Sequence, residues 1–263
     1  MSPDAPDAPD APDATADGFT GDLAGNRLPR TDRLAGRELR VVEASQDDLV
    51  LRFRTGDVVE WRRGAHGGTD WYEAIEARPG VWFLTLRRQD DPRHADVLVV
   101  REDTGRTLRV ASDVAPEPTP GWPRVGQTFT PGTLAASEAT GAEPGPTRDL
   151  IGLRALYRYG PGLVYEHVYL SSERYAWQCL AGAQRGQGDV DLAATWSLGD
   201  GLYVFTFREF LIPVATTWLY DFRAMRTTGT FLALGADDTV TCGAGGAFIT
   251  ELGRVRYPDE QPV

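Results

Sequence analysis

The chain contains two diverged copies of one segment, and this repeat restricts its fold more than any other feature. The motif TDRLAG at residues 31–36 recurs as TRDLIG at residues 147–152, an offset of 116 residues. The second copy later carries an insertion, after which the offset is 121. Three further pairs align in the same order: Trp61 with Trp177, Asp70 with Asp191, and Gly80 with Gly201. A collinear series of matches indicates duplication, so the sequence predicts two domains of one fold.

Each copy is patterned as short strands joined by tight turns. In the first copy, residues 49–54 and 58–61 flank a Gly-containing turn, and residues 72–77 and 81–86 flank a second one. The second copy shows a similar series of strand-like segments between residues 153 and 256. Neither copy contains a long amphipathic helix pattern. A meander of six to eight strands in about 110 residues favours a small closed barrel, because closure removes exposed edges.

Stretches rich in proline and glycine divide the chain. Residues 1–18 form a Pro-Asp-Ala repeat that is typical of a disordered tail. Residues 115–147 are predicted to be a linker for the same compositional reason. The predicted barrels therefore occupy residues 19–114 and 148–257, and the fold class is all-β with two tandem antiparallel barrels.

Charge and composition exclude several functions. The net charge is −11, and every basic residue is an arginine, so Schiff-base chemistry is excluded and nucleic acid is not an expected partner. The apolar runs are too short to cross a membrane, and the start lacks a signal-peptide pattern, so we expect a cytoplasmic protein without membrane contact. Two cysteines and three histidines show no metal-site spacing, so we predict neither a metal nor a cofactor.

The two copies differ on one face of a predicted hairpin. Because side chains alternate along a strand, one face carries Leu49, Leu51 and Phe53 in the first copy and Tyr165, His167 and Tyr169 in the second. The facing strand replaces Val59, Trp61 and Arg63 with Tyr175, Trp177 and Cys179. Either this face is an aromatic core with hydroxyls at its rim, or it is a site for a small molecule.

The second hypothesis assigns a role to each polar group. A buried His167 stays neutral and suits a general base, with Tyr165, Tyr169 and Tyr175 as hydrogen-bond donors to an oxyanion. Arg208 is predicted to bind an acidic group of the substrate, and Trp177 and Tyr203 to form apolar walls. Glu166 and Glu209 are further candidates for ligand contact. Alternation directs Glu166 to the opposite face, and a bulge would bring it inside.

Several stretches resemble the MoaF family. They are Asp17-Gly18-Phe19, Asp70-Trp71-Tyr72-Glu73, Asp200-Gly201-Leu202-Tyr203, Arg226-Thr227-Thr228-Gly229 and above all the run from Leu163 to Cys179. The resemblance extends over about residues 17 to 257 and implies two lipocalin-like, calycin-type barrels. It also implies a gene context of molybdenum-cofactor biosynthesis, but no particular reaction.

We therefore expect a cofactor-independent enzyme of the cyclase, isomerase or lyase type, acting on a small apolar or aromatic metabolite in the second barrel. The first alternative is a binding or carrier protein for a pterin or related intermediate. The second is a structural protein whose exchanged face is packed shut. In that case Val168 and Leu170 would contact the first barrel or another subunit, as in a homodimer.

Overall fold

A computed structural model describes residues 23–263 of the chain, apart from positions 45 and 211. The predicted tail, residues 1–18, lies outside the described residues. All regular structure in the described part is antiparallel β-strand, which confirms the all-β class. The strands are β1 (Glu38–Glu43), β2 (Leu49–Phe53), β3 (Val58–Arg63), β4 (His66–Arg78), β5 (Val81–Arg87), β6 (His94–Arg101), β7 (Arg106–Val114), β8 (Val125–Leu134), β9 (Gly145–Pro146), β10 (Leu153–Gly160), β11 (Leu163–Tyr169), β12 (Arg174–Ala181), β13 (Gly188–Gly199), β14 (Leu202–Arg208), β15 (Val214–Asp221), β16 (Arg226–Leu234) and β17 (Val240–Arg254).

The strands form two closed barrels in tandem, as predicted. In the first barrel each of β1 to β8 pairs with the next, and pairing of Val41 with Leu134 joins β1 to β8. In the second barrel β10 to β17 pair in the same way, and β10 closes on β17. The short β9 pairs with β13. Closure leaves no long unpaired edge, and each interior is filled by its own apolar cluster.

The duplication is preserved in the strand register. Leu51 of β2 faces Trp61 of β3, and at an offset of 116 residues His167 of β11 faces Trp177 of β12. Both indoles bind the same partner type: Trp61 Nε1 donates to an Asp70 carboxylate oxygen at 2.6 Å, and Trp177 Nε1 donates to Asp191 at 2.9 Å. Positions aligned by sequence are therefore equivalent in space.

The predicted linker, residues 115–147, is wrong for its central part. Residues 125–134 form β8, which pairs with β7 along its length and closes the first barrel on β1. The density of proline and glycine concealed this strand. Pro131 is tolerated because β1 pairs only with residues 132–134 of β8, so no ladder bond on that side requires the missing N–H.

An apolar interface joins the outer faces of the two barrels. Its buried residues are Ile75, Val81, Phe83, Val97, Val99, Leu108 and Val110 from the first barrel and Leu198, Leu202, Val204 and Leu219 from the second. Arg78 of β4 also pairs through its guanidinium with the buried carboxylate of Asp221 in β15. Val168 and Leu170, predicted to contact the first barrel or another subunit, do not belong to this cluster.

The segment from Leu23 to Arg27 crosses from the first barrel to the second. The Gly246 N–H donates to the Leu23 carbonyl at 3.0 Å, and the Asn26 amide donates to the Arg158 carbonyl at 2.9 Å. A side chain at Gly246 would collide with the backbone of Arg27, so this glycine permits the close approach. Residues that precede the first barrel in the sequence therefore pack against the second barrel. No described helix is long and apolar enough to cross a membrane.

Candidate functional site

The second barrel contains a small cavity that the Leu23 segment helps to line. Its volume is about 20 Å³, roughly the space for one water molecule. The lining residues are Leu23, Tyr159, Tyr165, His167, Tyr175, Trp177, Phe207, Glu209 and Trp218. Six of them are aromatic, and among these described residues there is one carboxyl group and no arginine.

Strand alternation places these side chains on the inner wall. Tyr165 and His167 both point inward from β11, and Trp177 faces them from β12. Phe207 points inward at the end of β14, and Glu209 continues the alternation two residues later. The cavity therefore brings together five of the nine residues predicted from sequence: Tyr165, His167, Tyr175, Trp177 and Glu209.

His167 is buried among aromatic rings. Its imidazole stacks on Tyr157 at a centroid distance of 4.2 Å and meets Tyr175 edge-on at 5.2 Å. Its Nδ1 atom is buried without a hydrogen-bond partner among the described residues. Burial lowers the pKa of His167 to about 3, although the Glu166 carboxylate acts in the opposite direction. The imidazole is therefore neutral at physiological pH.

The pKa of Glu209 is shifted in the direction opposite to that of His167, and its buried carboxyl group stays protonated. Burial, followed by the charges of Asp191 and Asp189, raises the pKa of Glu209 to about 8. Asp191 accepts the indole hydrogen bond of Trp177, and burial raises the pKa of Asp191 to about 6. The cavity thus combines a neutral base with an acid whose pKa lies near neutrality.

His167→Phe is expected to make the protein more resistant to acid. The native state binds fewer protons at this position than the unfolded state below about pH 6.5, so stability falls as the pH falls from there toward 3. Between about pH 6.5 and about pH 4 the loss is about 2–3 kcal/mol. Urea unfolding at several pH values measures it. His66→Gln, at an exposed position, is the control, and parallel profiles for the wild type and His167→Phe would contradict the prediction.

Four predicted site residues lie elsewhere. Tyr169 is in a deeper phenol cluster, where its hydroxyl bonds those of Tyr157 at 2.6 Å and Tyr220 at 3.1 Å. Tyr203 bonds Asp149 at 3.1 Å, away from the cavity. These two phenols stabilise other parts of the second barrel.

The structure places neither Glu166 nor Arg208 in the cavity, and the reason is the same for both residues. Alternation turns both to the outer face, because each neighbours an inward-pointing residue of its strand. Glu166 pairs with the Arg154 guanidinium and accepts a bond from Gln178, and these contacts lower its pKa. Burial and the nearby Arg174 lower the pKa of Arg208. Arg208 therefore cannot anchor an acidic group in the cavity.

Sequence reasoning missed Leu23, Tyr159, Asp191 and Trp218. A signal existed for Trp218: Gly229 and Gly245 lie inside strands, where glycine marks a close approach, and any side chain there would collide with the indole. For Leu23 no local pattern exists, since its contact depends on a chain crossing. Among the described residues, no group of three or more His, Cys, Asp and Glu side chains could hold a metal ion.

The first barrel has a cavity of about 80 Å³ at the equivalent position, with a different chemistry. Arg88, aligned with Glu209 at the offset of 121, lies over the Trp61 ring at 4.6 Å from its centroid. The buried Glu43 pairs with both Arg63 and Arg109 of the cavity lining. The cavity of the first barrel is therefore lined mainly by charged side chains, whereas the cavity of the second barrel is lined mainly by aromatic rings.

Fold and site together define a tandem β-barrel protein in which one barrel has a cavity lined mainly by charged side chains and the other a cavity lined mainly by aromatic rings. The profile of the MoaF N-terminal domain matches residues 11–116, and that of the MoaF C-terminal domain matches residues 144–255. Protein MoaF of Klebsiella aerogenes is 31% identical over 237 residues, covering 86% of this chain and 87% of that protein. The chain belongs to the MoaF family.

The strand β8, which closes the first barrel, lies outside both matched ranges. Among solved structures, a Burkholderia vietnamiensis protein proposed to be a beta-lactamase is 14% identical to this chain, with a TM-score of 0.33. That match covers 39% of this chain and 95% of the other.

Proposed function

We propose that the second barrel is a cofactor-independent enzyme of the cyclase, isomerase or lyase type that moves a proton on a small apolar or aromatic metabolite. The observation that carries the proposal is the presence of Glu209 and His167 in one aromatic cavity, with pKa values displaced in opposite directions. Two titratable groups separated in this way are typical of acid–base sites.

The roles follow from the protonation states. Glu209 holds its proton at pH 7, and a pKa near 8 permits both donation and recovery of that proton. The neutral His167 imidazole accepts a hydrogen bond from the ligand, and its Nδ1 has no partner among the described residues. Tyr175 keeps its hydroxyl proton because burial raises its pKa, so it serves as a hydrogen-bond donor. Trp177 and Phe207 are walls that orient the ligand.

Turnover of a co-purified ligand tests this proposal. The metabolite that remains bound after purification is identified by native mass spectrometry and then incubated with stripped protein. Glu209→Gln is expected to slow its conversion by about 100-fold or more, whereas the exposed Glu173→Gln changes the rate by less than about twofold. Undiminished conversion by a folded Glu209→Gln variant would overturn the catalytic role.

The alternative is a carrier that binds a planar molecule, such as a pterin, without chemistry. The six aromatic rings of the lining favour it, since stacking requires no titratable group. In that case the ligand is released unchanged by the wild type after prolonged incubation, and Glu209→Gln affects affinity alone.

Ligand entry requires a movement of the Leu23 segment, because the cavity holds about one water molecule. Leu23→Ala is expected to raise the rate at which the co-purified ligand rebinds, by about fivefold for each 1 kcal/mol of lost contact. Stopped-flow tryptophan fluorescence measures this rate. Leu252→Ala, at a half-exposed position on β17, is the matched control. Equal rates for the two variants would show that the segment is not the gate.

A further inference from the structure

The cavity of the second barrel has acceptors for a positive charge but no cation of its own. Its lining contains the Glu209 carboxyl, and Asp191 accepts the N–H of Trp177 at the edge of the ring. Neutral His167 adds one acceptor nitrogen, and its Nδ1 has no hydrogen-bond partner within the described part of the chain. Arg208, the nearest arginine in sequence, points to the outer face. The polar groups of the cavity therefore complement a donor or a cation, and an anionic ligand would find no countercharge there.

The first barrel shows what occupies the same place when the protein supplies a cation. There the guanidinium of Arg88 lies over the Trp61 ring at 4.6 Å, and the Trp61 N–H is held by Asp70. In the second barrel the indole and its aspartate persist as Trp177 and Asp191. At the position of Arg88 the chain has Glu209, so the internal cation is replaced by a carboxyl group.

We propose that the ligand of the second barrel is a small amine with an apolar or aromatic body, whose ammonium group lies over Trp177 and against Glu209. This inference rests on the proposed function, since it specifies the ligand of the same site. The ammonium would occupy the position that the Arg88 guanidinium occupies in the first barrel. When the ammonium binds, Glu209 releases its proton to solvent and accepts a charge-assisted hydrogen bond as the carboxylate. This bond and the cation–π attraction are strongest in such a desolvated site.

The aromatic walls determine the rest of the ligand. Tyr159, Tyr165 and Trp218 line the cavity and offer ring surfaces to an apolar body. The Asp191 hydrogen bond fixes the orientation of Trp177, so the ring face toward the cavity is preorganised. Carboxylates and phosphates are excluded as ligand heads by the same acidic groups.

Three single-ring probes of equal size test the charge preference. Benzylamine, benzyl alcohol and benzoate are titrated by calorimetry into the full chain and into Leu23→Ala. Benzylamine is expected to bind at least about tenfold more tightly than benzyl alcohol, and benzoate not to bind. Glu209→Gln is expected to weaken benzylamine about tenfold and to change benzyl alcohol by less than about twofold.

Glu209→Arg is a second variant, because it restores the cation of the first barrel. It is expected to abolish benzylamine binding while circular dichroism confirms the fold. Equal affinity for the three probes, or tightest binding of benzoate, would overturn the amine inference and leave the proposed function intact. Failure of all three to bind the wild type and Leu23→Ala would overturn the amine inference, whereas the proposed function is decided by turnover of the co-purified ligand. An amine preference without turnover of the co-purified ligand would overturn only the catalysis.

Discussion

Trp218→Ala is expected to lower the free energy of unfolding by about 3–5 kcal/mol. The indole is 1% exposed and meets Tyr159 edge-on at 5.5 Å. Gly229 and Gly245 on the neighbouring strands have no side chains to move into the vacated space, and closed barrel strands cannot collapse around it. The loss of stability measured by urea unfolding should therefore include both the transfer free energy of the buried indole and the cost of the cavity that it leaves.

Two further variants show how much of that loss of stability comes from burial of the indole. Trp122→Ala removes an indole that is 65% exposed, and it should change stability by less than about 0.5 kcal/mol. Trp218→Phe keeps most of the ring and removes an N–H that is buried without a partner among the residues the structure describes, so its cost should be much smaller. A loss for Trp218→Ala no larger than that for Trp122→Ala would mean that the indole does not fill the barrel.

Glu209→Gln is expected to stabilise the protein by about 3–5 kcal/mol at about pH 9. The pKa of Glu209 is about 8 in the native state against an ordinary value of 4.5, so the native state binds the proton more tightly. The corresponding stability is complete below about pH 4.5 and is lost as the pH rises through about 8. The glutamine side chain has no ionisable proton, so this loss is absent from the variant.

Other groups around Glu209 contribute to the same profile. Asp191 has a pKa raised to about 6 and contributes in the same direction, while His167 acts in the opposite direction below about pH 6.5. The two aspartates of β13 and the Tyr175 phenol face the carboxyl, and burial keeps Tyr175 neutral. The clearest difference is therefore expected between about pH 6.5 and about pH 9, with Glu173→Gln as control. Parallel stability profiles for the wild type and Glu209→Gln would contradict the prediction.

Much of the barrel wall could be predicted from local patterns. Alternation alone placed Tyr165, His167 and Trp177 on the inner face, and the register confirms their opposition. The same rule separates Glu209 from Arg208, although a role in the site was predicted for both. Alternation specifies a face but not a depth along the barrel. For this reason Tyr169 was grouped with the site, whereas the structure places it in the phenol cluster.

Predictions made from composition were wrong where strand pairing decides the conformation. The segment containing β8 is rich in proline and glycine, so its local preference for a strand is weak. It forms a strand because it pairs with β7 on one side and β1 on the other, and this pairing closes the barrel. Gly243, Gly245 and Gly246 have a composition typical of a turn, yet they lie inside β17, where they leave space for Phe231, Trp218 and Arg27. Their conformation is decided by neighbours remote in sequence.

The duplication, read from sequence alone, determined the fold of each half, the equivalence of their positions and the inner face of each strand. These properties depend on side-chain periodicity and on alignment within the chain. Only the tertiary structure decided that Leu23 reaches the second barrel, that Asp191 binds the Trp177 N–H, and that the Glu209 carboxyl borders the cavity. The physical reason is that barrel closure and the chain crossing bring together groups far apart in sequence, and their mutual burial sets the charges of the site.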